Sequence, residues 1–177
     1  MNEKIVIKQR SDFWTINKIY RTAFIFIMLL SVFILIINLP PIRNHVVNSA
    51  TLILAWITTV ILHTLGEPVF QIGYVVSSPA INMEITLTCT GLYQVAVLIA
   101  GILVWPATTG ERRQGIIIGS FFLTSVNILR IISIYYSAVF VPDWVPFIHA
   151  VFWEIVMILF VPLIWFIWIR TTSQKLW

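Results

Sequence analysis

The sequence predicts an all-α polytopic membrane protein: about five transmembrane helices, with a small extracytoplasmic β-hairpin before the third. Three observations carry that expectation. Apolar residues make up 59% of the 177 and charged residues only 10%, and mean hydropathy is +0.96. A soluble domain of this length cannot hide so much apolar surface, so lipid must be its solvent. The apolar residues also fall into long runs punctuated by proline and short polar stretches, and between the second and third runs the periodicity changes from helical to alternating.

Residues 1–21 form a basic N-terminal segment, with Lys4, Lys8, Arg10, Lys18 and Arg21 against Glu3 and Asp12. Phe13, Trp14, Ile16 and Ile19 interleave with them, which suits a short amphipathic lead-in at the membrane interface. Thr22 to Leu39 is almost wholly apolar and long enough to span. Pro40-Pro41 should end it, because neither proline donates a helix hydrogen bond. After a turn at Ile42–His45, a second span is expected over 46–65, stopped by Gly66-Glu67-Pro68.

Residues 67–88 read differently. Alternation from Ile81 to Thr88 predicts a strand, with Ser77-Ser78-Pro79 as the turn before it. Bare strands cannot lie in lipid with unpaired backbone, so this hairpin should sit outside the hydrocarbon or pack on helices. Further spans are expected over 90–105, 115–139 and 147–169, with Pro106 ending the third and Pro162 inside the fifth. The catalytic or transport body is thus 22–169, and 170–177, with Arg170 and Lys175, is a basic cytoplasmic tail.

Sidedness follows the basic residues. Arg43, Arg112, Arg113, Arg170 and Lys175 place 40–45, 107–114 and the C-terminus in the cytoplasm. The 67–88 and 140–146 segments carry Glu67, Glu84 and Asp143 and no Lys or Arg, so they face out. The N-terminus dissents: five spans put its five basic residues outside. Either the first segment is not a simple span, or the bias is overridden there.

Composition excludes several functions. A net charge of +4 is too small to argue for nucleic acid, and one cysteine rules out an internal disulfide or a multi-cysteine metal site. The first apolar run starts too late and runs too long for a cleavable signal peptide. No cofactor pattern is present. A metal site from His149, Glu154 and another histidine lacks any ligand spacing. His45 and His63, near span ends, read as structural.

One constellation remains. Cys89 opens the third span, His149 opens the fifth on the same side, and Arg130 lies in the fourth, roughly 13 Å in from its end at ~1.5 Å per residue. A lone membrane cysteine is most often a small core hydrophobe, and a histidine at a span end an interfacial residue. An intramembrane arginine is functional by default. Together they offer a thiol nucleophile, an imidazole to take its proton and return it to a leaving amine, and a donor for an oxyanion. Asn127, one turn before Arg130, shares its face and could orient it. Thr90 and Gly91 keep the backbone beside the thiol uncluttered. Glu154, five residues from His149, points off the histidine's helical face and reads as a partner for a base.

These residues resemble the exosortase/archaeosortase family of membrane transpeptidases, most closely its short exosortase H-like members. The likeness includes Pro-Pro-Ile-Arg at 40–43, Thr88-Cys89-Thr90-Gly91 after the hairpin, and Trp105-Pro106-Ala107. It continues through Asn127-Ile128-Leu129-Arg130-Ile131-Ile132-Ser133 and ends with His149 and Trp153. The resemblance implies a catalytic set of Cys89, Arg130 and His149. The implied substrates are secreted proteins with a C-terminal sorting signal: a motif, a transmembrane helix and a basic cluster. Cys89 would cleave through a thioester near the extracytoplasmic face of the cell membrane, and an acceptor, lipid-linked in archaeal members, would take the acyl group. The hairpin could add an extended substrate strand to its edge, which a proline at Ile85 should prevent. The competing expectation is a non-enzymatic scaffold or transporter subunit in which Arg130 and Glu154 pair or line a pathway.

Overall fold

The computed structural model describes residues 3–173, and side-chain environments for residues 17–172. The side chains of the basic N-terminal stretch up to Ile16, and Lys175 in the tail, lie outside the described residues. Among the described residues the chain is predominantly helical, with four helices long and apolar enough to cross a membrane and one small sheet.

Helix α1 is continuous over Glu3–Asn38, with no break at Arg21. The expected turn at 42–45 is absent. Leu39 alone is extended, and Pro40 and Pro41 open the next helix rather than merely closing the last. Proline suits a first helical turn, where its missing N–H has no partner to lose, and it forces the residue before it out of helical geometry. Helix α2 therefore runs Pro40–Thr64, with a π-turn at Arg43–Val47. Its end is a left-handed Gly66 (φ +93°), with Gly66 N–H bonded to His63 O and Glu67 N–H to Leu62 O. That pattern satisfies carbonyls the helix end would leave open, and glycine takes the conformation without a Cβ penalty.

The 67–88 segment is a three-stranded antiparallel meander rather than a hairpin: β1 Phe70–Ile72, β2 Val75–Ser77 and β3 Asn82–Glu84, with β2 in the middle. Alternation carries past Glu84 in sequence, but pairing stops once Ile85 N–H has reached Tyr74 O. The chain then tightens into a 3-10 turn at Leu87–Cys89. As expected of strands in such a protein, the sheet packs on helices. Val69, Val76 and Ile85 are buried with Leu54, Ala55 and Leu62 of α2 and with Ile131 and Tyr135 further along the chain.

Helix α3, Leu92–Val104, has only 13 residues. Helix α4, Thr109–Phe140, starts six residues earlier than expected. Its first turn is closed by a reciprocal cap between Thr108 and Glu111, a Thr-x-x-Glu signal legible in the sequence. Helix α5 follows one residue, Val141, and runs Pro142–Thr172. The expected 140–146 loop is instead helical from Pro142, and a second π-turn occupies Ile148–Phe152.

Helices α3, α4 and α5 form one packed group. Leu98 and Ile102, Leu123, and Val161 with Trp168 make its second core. Gly115 and Gly119 let α4 approach closely: a Cβ at Gly115 would fall 2.4 Å from Trp168 Nε1, and one at Gly119 2.6 Å from a Leu98 methyl. Helix α1 lies along α3 and antiparallel to it. Lys18, Thr22 and Phe26 border one groove with Val97, Gly101 and Trp105, while Asn38 Nδ2 donates to Tyr93 Oη at 3.3 Å. Helix α2 meets α1 near their junction and packs chiefly on the sheet and α4.

Candidate active site

The turn that carries the thiol is fixed from both sides. Cys89 N–H bonds to Thr86 O at 2.9 Å and Thr90 N–H to Leu87 O at 3.1 Å, and Thr90 Oγ1 donates to Leu87 O at 2.6 Å. Gly91 then takes φ +71° to open α3. A Cβ there would lie 3.3 Å from Asn127 Cγ, so glycine serves both the backbone conformation and the close approach of α4.

Asn127 is wholly buried, and its Nδ2 donates to Cys89 O at 2.6 Å. Because a carbonyl only accepts, this bond fixes the amide's orientation and leaves Oδ1 as a buried acceptor without a partner. Arg130, one turn on, is 1% exposed. Its Nη2 donates to Glu154 Oε1 at 3.1 Å across to α5, where the carboxylate side chain is 46% exposed. Among the described residues, the buried Nε and Nη1 atoms have no hydrogen-bond partner. A second clamp reinforces the first: Trp153 Nε1 donates to Ser133 Oγ at 2.6 Å, and Ser133 Oγ donates to Arg130 O at 2.8 Å.

Cys89 is buried, and its Sγ lies 3.6 Å from Thr86 Oγ1, which in turn is 2.8 Å from Thr88 Oγ1. The structure thus ties Cys89 and Gly91 to Asn127, and Arg130, one turn further along α4, to Glu154. His149 sits half-buried in the π-turn of α5, and among the described residues its imidazole enters no hydrogen bond, with the thiol or any other group. Glu154 is the partner for a base that its position suggested, and that base is Arg130.

Thr86 and Ser133 were not singled out by sequence reasoning. Ser133 completes an i, i+3, i+6 stripe with Asn127 and Arg130, which helical spacing could have shown. Thr86 had no such signal, since its place depends on the 3-10 turn. Two grooves elsewhere, of about 590 and 460 Å³, lie between α1, α3 and α5 and between α4 and α5, and neither includes Cys89. No family model matches the chain, and neither a curated protein nor a solved structure does.

Proposed function

We propose that this chain is a multi-pass cysteine transpeptidase or protease of the cell membrane, of the exosortase/archaeosortase kind. One observation carries the reading. The backbone of the only thiol is tied to Asn127, and one turn further along that helix face a fully buried guanidinium holds two donor nitrogens, Nε and Nη1, without partners among the described residues. Each such group left unmet costs ~1–3 kcal/mol or more, an expense that is repaid when a substrate oxygen accepts from it.

The chemistry follows from these positions. The Cys89 thiolate attacks the scissile carbonyl of a secreted protein's C-terminal sorting signal, and Arg130 receives the oxyanion. His149 takes the thiol proton and returns it to the leaving amine, releasing the substrate's transmembrane helix and leaving a thioester on Cys89. An acceptor, lipid-linked in the archaeal pattern, then takes the acyl group and frees the thiol. Without substrate the thiol contacts Thr86, so closure of the first turns of α5 onto Cys89 is a step substrate docking must drive.

Asn127 lies about 20 Å along α4 from Phe140 at ~1.5 Å per residue, which supports a reaction site recessed below the extracytoplasmic surface. The test is co-expression with a secreted protein bearing a C-terminal helix and basic cluster, comparing wild type with Cys89→Ala by substrate size and by trapped thioester. Processing by wild type alone is expected; equal processing by both removes the thiol from the chemistry. The Arg130–Glu154 pair favours the second reading, a non-enzymatic scaffold or transporter subunit, and that reading requires Cys89→Ala to be silent.

A further inference from the structure

The directions of the first two helices carry a conclusion that helix length alone contradicts. Two crossings in succession should form an antiparallel pair. Helix α1 instead pairs with α3, running from the Trp105 end, where Lys18 lies, to Tyr93, where Asn38 bonds. Helix α2 starts beside Tyr93, and its later residues face the outward end of α4. Gln71 Nε2 reaches Leu52 O, Leu54, Ala55 and Leu62 share a core with Ile131 and Tyr135, and Glu67 just beyond α2 accepts from Tyr135. Both helices therefore advance toward the same end of the molecule.

We propose that α2 does not cross back: it stays on the extracytoplasmic side, with Ile53, Trp56 and Val60 in the outer leaflet, so that both termini are cytoplasmic. Those three side chains are exposed, and their apolar character fits lipid tails as the covering partner. Charge placement supports the same topology. With α1, α3, α4 and α5 as the crossings, Lys18, Arg21, Arg112, Arg113 and Arg170 all fall on the cytoplasmic side. Glu67, Glu84 and Asp143 fall on the other, and Arg43 is the one basic residue left there. The N-terminal conflict that five crossings create disappears.

The experiment fuses the full chain, at either terminus, to green fluorescent protein and to alkaline phosphatase. Fluorescence and no phosphatase activity at both ends is the expected result. Opposite behaviour at the two ends would restore five crossings and overturn the proposal, and phosphatase activity at both ends would overturn its sidedness. Asn44→Cys and Ile53→Cys test α2 itself in intact cells with a membrane-impermeant maleimide, against the parent as background. Asn44→Cys accessible only after the cytoplasmic face is opened would show that α2 crosses. Ile53→Cys should stay unlabelled until detergent strips the lipid; prompt labelling would show water, not the outer leaflet, over that face.

Discussion

Asn127 on α4 donates to the carbonyl of Cys89 at 2.6 Å, so the thiol's turn hangs from the middle of a 32-residue helix rather than from its own short one. Gly91 completes the joint by admitting Asn127 against its backbone. Asn127→Ala leaves a buried carbonyl unpaired and should cost ~1–3 kcal/mol. Gly91→Ala should cost ~1–2 kcal/mol from its left-handed φ alone, plus the contact with Asn127. Since Asn127→Ala relieves that contact, the double variant should lose less than the sum, by ~0.5–1 kcal/mol. Thermal unfolding in lipid nanodiscs measures all three; strict additivity would assign the whole Gly91 cost to φ.

The sheet edge supplies a sharper test than sequence alone could design. A proline at Ile85 was the natural choice for blocking strand addition, but Ile85 N–H is bonded to Tyr74 O and its side chain is 2% exposed. That substitution should break the fold. In an antiparallel ladder hydrogen-bonded pairs alternate, so with Ile85 paired to Tyr74, the N–H of Glu84, opposite Val75, faces the free edge. Glu84→Pro should leave the melting temperature within a few degrees and abolish processing if an extended substrate strand adds there. Retained processing by a folded Glu84→Pro would remove strand addition from the mechanism.

What was legible in the sequence, and what was not, divides along one line. Apolar runs locate helices because burial in lipid acts on every residue of a span, so Thr22–Leu39 falls inside α1 up to Asn38 and Gly115–Val139 falls inside α4. Their ends depend on single backbone groups. Pro40 reads as a stop and Pro142 as part of the 140–146 loop, but both act as first-turn residues, and Thr108 caps α4 through Glu111. At the candidate site, the stripe from Asn127 to Arg130 follows from helical spacing alone. The Arg130–Glu154 pair was also within reach, as opposite charges inside two spans; the π-turn at Ile148–Phe152 was not, because nothing in the apolar run marks where α5 is wound off its usual period.

Gly115 tests the packing that holds the bundle together away from Cys89. A Cβ added there would fall 2.4 Å from Trp168 Nε1, which itself donates to Glu111 O at 3.1 Å. Gly115→Ala must push the indole off that carbonyl, and overpacking of this kind costs ~1–3 kcal/mol. The expected outcome is a lower melting temperature with unchanged turnover per folded molecule. A fall in turnover beyond the loss of folded protein would mean that this end of α4 and α5 is coupled to the site.

Glu154 should matter through Arg130. Glu154→Gln removes the one charge that meets a guanidinium 1% exposed. Breaking a buried pair costs ~3–5 kcal/mol when both partners are enclosed, and less here because the carboxylate is half open. Turnover per folded molecule should fall at least tenfold, about 1.4 kcal/mol in the barrier, with partial recovery in Glu154→Asp. Unchanged turnover would show that Arg130 is held well enough by helix packing.

The π-turn at Ile148–Phe152 makes the last test the most specific to this chain. In an α-helix residues five apart lie about 140° from one another, which puts Glu154 off the face of His149. One extra residue wound into the turn gives i→i+5 bonding, as in Trp153 N–H to Ile148 O, and draws the two toward one face. Deleting Ala150, which is exposed, leaves His149 and Glu154 four apart, about 40° in a regular α-helix, so both stay on one face. Glu154 still reaches Arg130, so the melting temperature should hold or rise as i→i+4 bonds re-form. Activity should be kept in the deletion variant, whereas His149→Gln should lower it by ~10²-fold or more for a lost general base. A folded but inactive deletion variant would show that the shared face is not what the π-turn supplies, and full activity in His149→Gln would take the imidazole out of the mechanism.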